Sequence, residues 1–395
     1  MRVLCRTISF VDVSVLTPEG EVASSLRVAR GRIASIGERP RPGDCVVAGD
    51  GAVIAPGLVN AHDHLELNSF GRLKWRDRYA NVREWIADFQ PRFATEPALA
   101  LNRPETLGDR LFAGGLKNLL SGVTTVCHHN PLYAPLRRQF VVRVVRRYGW
   151  SHSLQVDGDR VAASQRSTPA TWPWIIHAAE GVDWAAAAEL LQLERLGCVG
   201  GNTVIVHGVG LMPADRRRAV ERGAALVWCP SSNQYLFGQT AGVAAFAAAG
   251  RLALGSDSRL SADGDLLAEL RAARATGQID ARALVRAVTS DAADVLRLAD
   301  AGRLEPGAPA DIAVFARTAA DPFDAVVGAR RPDVRLVMIG GRPLVADTAL
   351  GAVFAASRTR SQTARVDGRP SLVAAPIAWR LGTSSVPEPG LEVEA

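Results

Sequence analysis

The 395-residue chain is 48% hydrophobic, with 36 glycines and 22 prolines, which excludes a disordered or low-complexity polypeptide and allows one large core with a smaller unit beside it. Its formal charge of +6 is almost all arginine, because Lys74 and Lys117 are the two lysines among 46 basic residues. Those arginines are spread along the chain, and the densest group, Arg216-Arg217-Arg218 with Arg222, reads as a solvated helix face, so no nucleic-acid partner is expected.

Residues 1–10 alternate polar and apolar side chains and read as a strand, not a signal peptide. Further short β-rich runs follow at 11–16, 25–28 and 32–37, broken by Gly and Pro turns. A similar texture returns at 311–315, 334–339 and 342–345, so residues 1–55 and 303–355 are expected to combine in one small β-sandwich. Between them, residues 56–302 alternate apolar strand-like runs with Ala- and Arg-rich helical stretches, the pattern of a TIM-like (β/α) barrel. Strand candidates fall at 53–61, 123–128, 150–156, 173–178, 203–207, 224–228 and 252–256. That is one short of a closed barrel, so either a strand between 129 and 172 is hidden or the barrel is irregular there. The long connection 65–122 holds two helical patterns, and 68–79 is a candidate lid. Residues 356–395, rich in Arg, Ser and Pro, read as a partly disordered extension.

No apolar run approaches a membrane span, so no membrane partner is expected. The five cysteines, Cys5, Cys45, Cys127, Cys198 and Cys229, are widely spaced without a C-x-x-C pair. Reduced thiols and a cytoplasmic location are the expectation.

The chemistry gathers around Pro56-Gly57-Leu58-Val59-Asn60-Ala61-His62-Asp63-His64. Alternate side chains of a strand leave one face, so His62 and His64 present two imidazoles to one point. A pair of satisfied polar residues at a strand end is the competing reading, and partners are needed to decide. Barrel active sites lie at the C-terminal ends of the strands, and there the chain supplies His177, His207 and Asp257.

These motifs, His62-x-His64, His177-x-x-Glu180, His207 after an apolar strand, Cys229-Pro230-x-Ser232-Asn233 and Leu254-Gly255-Ser256-Asp257-Ser258, come in order along nearly the whole chain. Together they resemble the amidohydrolase superfamily, in its cytosine deaminase, guanine deaminase and s-triazine hydrolase branch. The resemblance implies that His62, His64, His177 and Asp257 hold one divalent metal ion, a set that suits Zn²⁺ or Fe²⁺. A bridging carboxylated lysine would mark a binuclear relative, and no lysine follows Lys117, so one ion is expected. The ion would acidify its bound water, with Asp257 taking the water's proton, Glu180 acting as general acid/base and His207 polarising the reacting centre. The implied reaction is deamination of an amidine-type carbon in a small nitrogen heterocycle. Loss of chloride or an alkylamine from an s-triazine, opening of a cyclic amide, or a non-catalytic binding role are the alternatives. His128, His129, Trp75 and Asn233 are candidate substrate contacts, with a structural or metal-supporting role the alternative for the two histidines. A homodimer is the oligomer the resemblance suggests.

Overall fold

The computed structural model describes residues 7–17 and 20–394. Residues 1–6, the start of the expected first strand with Cys5, lie outside them, as does Ala395. Strands β1 (Ile8–Thr17), β2 (Gly20–Ala29) and β3 (Arg32–Ile36) form an antiparallel meander, and β4 (Cys45–Pro56) returns parallel to β1. The expected strand at 53–61 is in fact two. Val53, Ile54 and Ala55 end β4, Gly57 breaks the run, and β5 (Leu58–Asp63) begins a different sheet.

The middle of the chain holds parallel strands. Strand β5 pairs with β6 (Val123–His128), and β6 with the short β7 (Arg143–Val144). A five-stranded parallel sheet follows, from β8 (Gly149–Ser153) through β9 (Trp174–Ala178), β10 (Thr203–His207) and β11 (Ala225–Trp228) to β12 (Leu252–Leu254). Among the described residues this gives eight parallel strands. The one hidden from sequence reading is β7, whose two residues are too few to show a period. Strands β9 and β10 are buried throughout, which explains their continuous apolar runs. The chain after β12 returns to the first parallel strand, where Asp257 N–H donates to the His62 carbonyl at 3.1 Å.

Two helices in the connection after β5 shape the site. Helix α1 (Val82–Phe89) starts at Asn81, whose side chain accepts from the Arg83 and Glu84 amides. Helix α2 (Leu107–Leu120) is buried along most of its length. Its apolar residues join the core, while Arg110, Lys117 and Asn118 fall on one stripe, at i, i+7 and i+8. Gly114 lies on the same stripe because a Cβ there would sit 2.2 Å from the Leu65 carbonyl oxygen. That close approach brings three polar side chains against the segment carrying His62 and His64.

Beyond residue 303, β13 (Ile312–Phe315) pairs antiparallel with β4, and β14 (Val334–Ile339) and β15 (Arg342–Asp347) extend the sheet. The extension expected to be partly disordered from 356 onward instead adds β16 (Ser361–Val366), β17 (Arg369–Ala374) and β18 (Leu391–Val393). Alternation explains it: Ala364, Val366, Ser371 and Val373 are buried between exposed neighbours such as Thr363, Arg365 and Pro370. Arg, Ser and Pro dominate the exposed positions and hide that period. Hydrogen bonds join the strands of 1–55 and 303–355 in one ten-stranded sheet that reaches Val393.

Candidate active site

Neutral imidazole carries one N–H, so the partner of one ring nitrogen fixes the other. His177 Nδ1 donates to the His152 carbonyl at 2.8 Å, and His129 Nε2 to the Ser151 carbonyl at 3.0 Å. His177 Nε2 and His129 Nδ1 are therefore bare. His129 Nδ1 lies 3.2 Å from His62 Nδ1, which must be the donor, leaving His62 Nε2 bare as well. The nitrogens His62 Nε2 and His177 Nε2 then face each other at 3.3 Å. Asp257 Oδ1 stands 3.8 Å from both His62 Nε2 and His64 Nε2.

Two lone pairs and a carboxylate at this spacing repel one another unless a cation lies between them. Ligands of a tetrahedral zinc shell with bonds near 2.1 Å are about 3.4 Å apart, so the donor set fits a divalent metal ion. The four side chains are at least nine-tenths buried. Burial and the surrounding histidines hold His62, His129 and His177 well below the ordinary imidazole value, in the neutral form that binds metal.

Asp257 is fixed on both oxygens. Its Oδ2 accepts from the Ser232 and Ser261 hydroxyls at 2.6 and 2.9 Å, and its Oδ1 from the Ser258 amide at 2.8 Å. Burial raises its pKa, but His207, His64 and the two hydroxyls outweigh that and hold it below the ordinary carboxylate value. Glu180 is different. Burial, then Asp257 and Glu189, push its pKa well above the ordinary carboxylate value, which favours the protonated form. His207 stands beside it, with Nε2 3.5 Å from Glu180 Oε1 and Nδ1 2.9 Å from Asn233 Oδ1.

The backbone that aims these groups is unusual. Ala179, His207 and Asp257 all take left-handed φ values of 53°, 73° and 50°, which non-glycine residues seldom adopt outside functional sites. The Ala179 amide is held by Glu189 Oε2 at 2.7 Å. Gly255 is required because a Cβ there would lie 2.5 Å from His62 Cβ.

His64, His177, Glu180, His207 and Asp257 line a cavity of about 850 Å³. Trp85, Ile86 and Phe89 of α1 give it an apolar wall, and Glu66, Arg110, Asn130 and Tyr133 a polar one. Of the candidate substrate contacts, Trp75, His128, His129 and Asn233 are not on its surface. Trp75 packs on Phe89 and the Arg92 guanidinium, and His128 Nδ1 accepts from the Leu65 amide at 3.3 Å. His129 and Asn233 stand behind His62 and His207. Glu66, Arg110, Asn130 and Tyr133 carry no motif and were not signalled by sequence, although Glu66 lies two residues past His64.

Beneath the site, Asp63 points away from the ligand cluster. Asn68 and Asn118 donate to its carboxylate at 2.7 Å each, the Ser256 hydroxyl at 3.2 Å, and the Lys117 ammonium stands 3.0 Å away. Lys117 also donates to Asn68 Oδ1 and the Ser256 hydroxyl at 2.8 and 2.9 Å. Both charges are fully buried.

The amidohydrolase family model matches residues 172–344, the stretch that holds His177, Glu180, His207 and Asp257. A 5-methylthioadenosine/S-adenosylhomocysteine deaminase of Natronomonas pharaonis is 30% identical in an alignment covering 86% of this chain and 93% of the relative. Among solved structures, an adenosine deaminase from Xanthomonas campestris with bound zinc aligns with a TM-score of 0.68 at 20% identity, over 90% of this chain and 97% of that one. A zinc-complexed atrazine chlorohydrolase from Arthrobacter aurescens TC1 aligns at 0.72 and 18% identity, over 88% and 99%. Similar in sequence over most of its length to one family relative and similar in fold to the others, the chain belongs to the amidohydrolase family.

Proposed function

We propose that this enzyme is a metal-dependent deaminase of an adenine-like nitrogen heterocycle, holding one divalent ion, zinc first and iron(II) second, on His62, His64, His177 and Asp257. The observation that carries it is the meeting of two bare imidazole nitrogens, His64 and a fixed carboxylate on a cavity where Glu180 stands beside His207. A bound ion supplies Lewis acidity that makes water reactive near neutral pH.

The protein groups do the rest. Asp257, held in place by the Ser232 and Ser261 hydroxyls, accepts the proton of the attacking water. Glu180 gives its proton to a ring nitrogen next to the carbon under attack, and in its ionised form collects a proton to pass to the departing amine. His207, oriented by Asn233, keeps Nε2 towards Glu180 and the reacting carbon. Trp85 and Phe89 exclude water from the apolar side of a flat ring. The name of the Natronomonas pharaonis relative supports an adenosine-derived substrate, and the parallel strands β5–β12 support a barrel interrupted between β7 and β8. Residues 56–302 would then be the catalytic unit, working in the cytoplasm, and a homodimer is the expected assembly.

The test is ammonia release from a panel of adenine, guanine, cytosine, pterin and aminotriazine compounds by zinc-loaded protein. Release from a purine derivative supports the reading. Chloride or alkylamine release from triazines, or a ring-opened product without ammonia, replaces it with another hydrolysis.

A further inference from the structure

Strand β9 ends at Ala178, and Glu180 leaves that strand end to stand beside His207. The residue between them makes the turn, with Ala179 at φ 53°. Alanine has no intrinsic reason to take this conformation, because its Cβ crowds the backbone there, so the surroundings must impose it. On one side the Ala179 carbonyl accepts from the Gly210 amide at 2.8 Å. On the other the Ala179 amide donates to Glu189 Oε2 at 2.7 Å. The first bond is made by backbone alone; the second depends on one side chain.

Glu189 is itself fixed. It opens the helix Glu189–Arg195 and is 7% exposed. Its Oε1 accepts from Gln155 Nε2 at 2.7 Å and from Arg83 Nη2 at 3.3 Å, so Oε2 is left to Ala179. Arg83 belongs to α1, and the start of α1 is joined to the same turn through the backbone. The Val82 amide donates to the Glu180 carbonyl at 3.0 Å, and the Val182 amide to the Ala80 carbonyl at 2.7 Å. Gly181 admits no side chain between them, since a Cβ would lie 2.6 Å from the Ala80 carbonyl oxygen. Glu180 therefore sits where β9 meets α1, and its direction depends on the residue before it keeping its turn.

We propose that Glu189 is a positioning residue, which by holding the Ala179 amide keeps the left-handed turn that aims Glu180 into the cavity beside His207. This rests on the reading of Glu180 as general acid/base. Glu189 does not line the cavity and acts only through Ala179.

The test measures amide hydrogen exchange at Ala179, resolved by fragmentation mass spectrometry, together with kcat and KM for ammonia release from adenosine by zinc-loaded protein. Glu189→Ala is expected to speed exchange at Ala179 by about tenfold. It should lower kcat by about ten- to a hundredfold with KM within about threefold, the cost of a small misplacement of a reacting group. Glu189→Gln keeps an acceptor for the Ala179 amide and should stay within about threefold of wild type in both readouts. Adding Ala179→Gly to Glu189→Ala should recover about tenfold in kcat, since glycine takes the left-handed turn without the Cβ penalty; a general loss of packing would not be repaired this way. Glu189→Met, which fills the space without offering an acceptor, serves if the alanine variant does not fold. Unchanged exchange at Ala179 in Glu189→Ala, or faster exchange with unchanged kcat, overturns the proposal. So does a Glu189→Gln variant as slow as Glu189→Ala, or a double variant no faster than it. No ammonia from adenosine with wild type, alongside slow Ala179 exchange that Glu189→Ala accelerates, overturns the adenine-like substrate and leaves the hold on the Glu180 turn standing.

Discussion

His129 bonds His62 and is not on the cavity surface, so at the proposed metal site it would act through His62. With its Nε2 committed to the Ser151 carbonyl, it accepts the His62 Nδ1 proton and keeps His62 Nε2 free. Groups in this position typically contribute ten- to a hundredfold to metal affinity. His129→Phe is therefore expected to lower zinc affinity by about that factor with folding intact, read by competition with a chromogenic chelator; unchanged affinity would refute the role. Asp63 makes the contrast. Asp63→Asn should retain stoichiometric metal by elemental analysis, whereas His62→Asn should lose it. Asp63 instead neutralises Lys117, and removing one member of a buried pair costs about 3–5 kcal/mol. Lys117→Met should lower unfolding free energy by that order in urea titrations, and an effect under 1 kcal/mol would argue against the pairing. Sequence period placed Asp63 on the opposite face from His62 and His64, because a strand repeats every two residues. It gave no hint of Lys117, whose partner lies more than fifty residues earlier and which sits in an apolar helix where a cation has no local reason to be.

Elements behave similarly: those with a long internal period are legible, and those fixed by distant contacts are not. Strands β9 and β10 announce themselves as apolar runs ending in or next to histidine, whereas β7, with two residues, exists only because β6 pairs with it. The helix Leu266–Ala275 is pinned to the start of the helix Pro230–Phe237 by one buried carboxyl. Glu269 accepts from the Ser231 amide at 3.0 Å and bonds the Ser231 hydroxyl. Burial pushes its pKa up to about 8, from an unfolded value near 4.5. The neutral form is thus favoured in the folded state. Its contribution is fully present below pH 4.5, declines as pH rises, and is lost once pH passes about 8. Glu269→Gln, which keeps both hydrogen-bonding positions but cannot ionise, is expected to flatten the fall in Tm between pH 6 and 9. A variant whose Tm follows the wild-type slope over that range would disprove the assignment.

For the whole molecule, the C-terminal segment is structural support for the site. Glu388 is 1% exposed and accepts from Arg259 Nη1 and Nη2 at 2.9 and 2.7 Å, and from Arg331 Nη1 at 3.0 Å. Arg259 in turn lies two residues past Asp257 and donates through its amide to Asn68 Oδ1 at 3.2 Å, the same oxygen that Lys117 holds. Glu388→Ala leaves Arg259 without its carboxylate and Arg331 with Asp367 alone, in a buried setting, so a loss of about 3–5 kcal/mol is expected. Its zinc content should fall at temperatures where wild type keeps the metal, as followed by differential scanning calorimetry with and without zinc. Composition hid this link, since a stretch of Arg, Ser and Pro gives no sign that one glutamate in it is buried.

The Glu388 clasp also sets an order of events. A nascent chain that has not yet passed residue 388 already contains His62, His64, His177 and Asp257, but Arg259 has no counter-charge and the loop bearing Asp257 lacks its anchor. Metal capture at the proposed site would then be late in biosynthesis, after the tail has closed over the rest, and an interrupted product would leave the ribosome with every proposed ligand and no competent site.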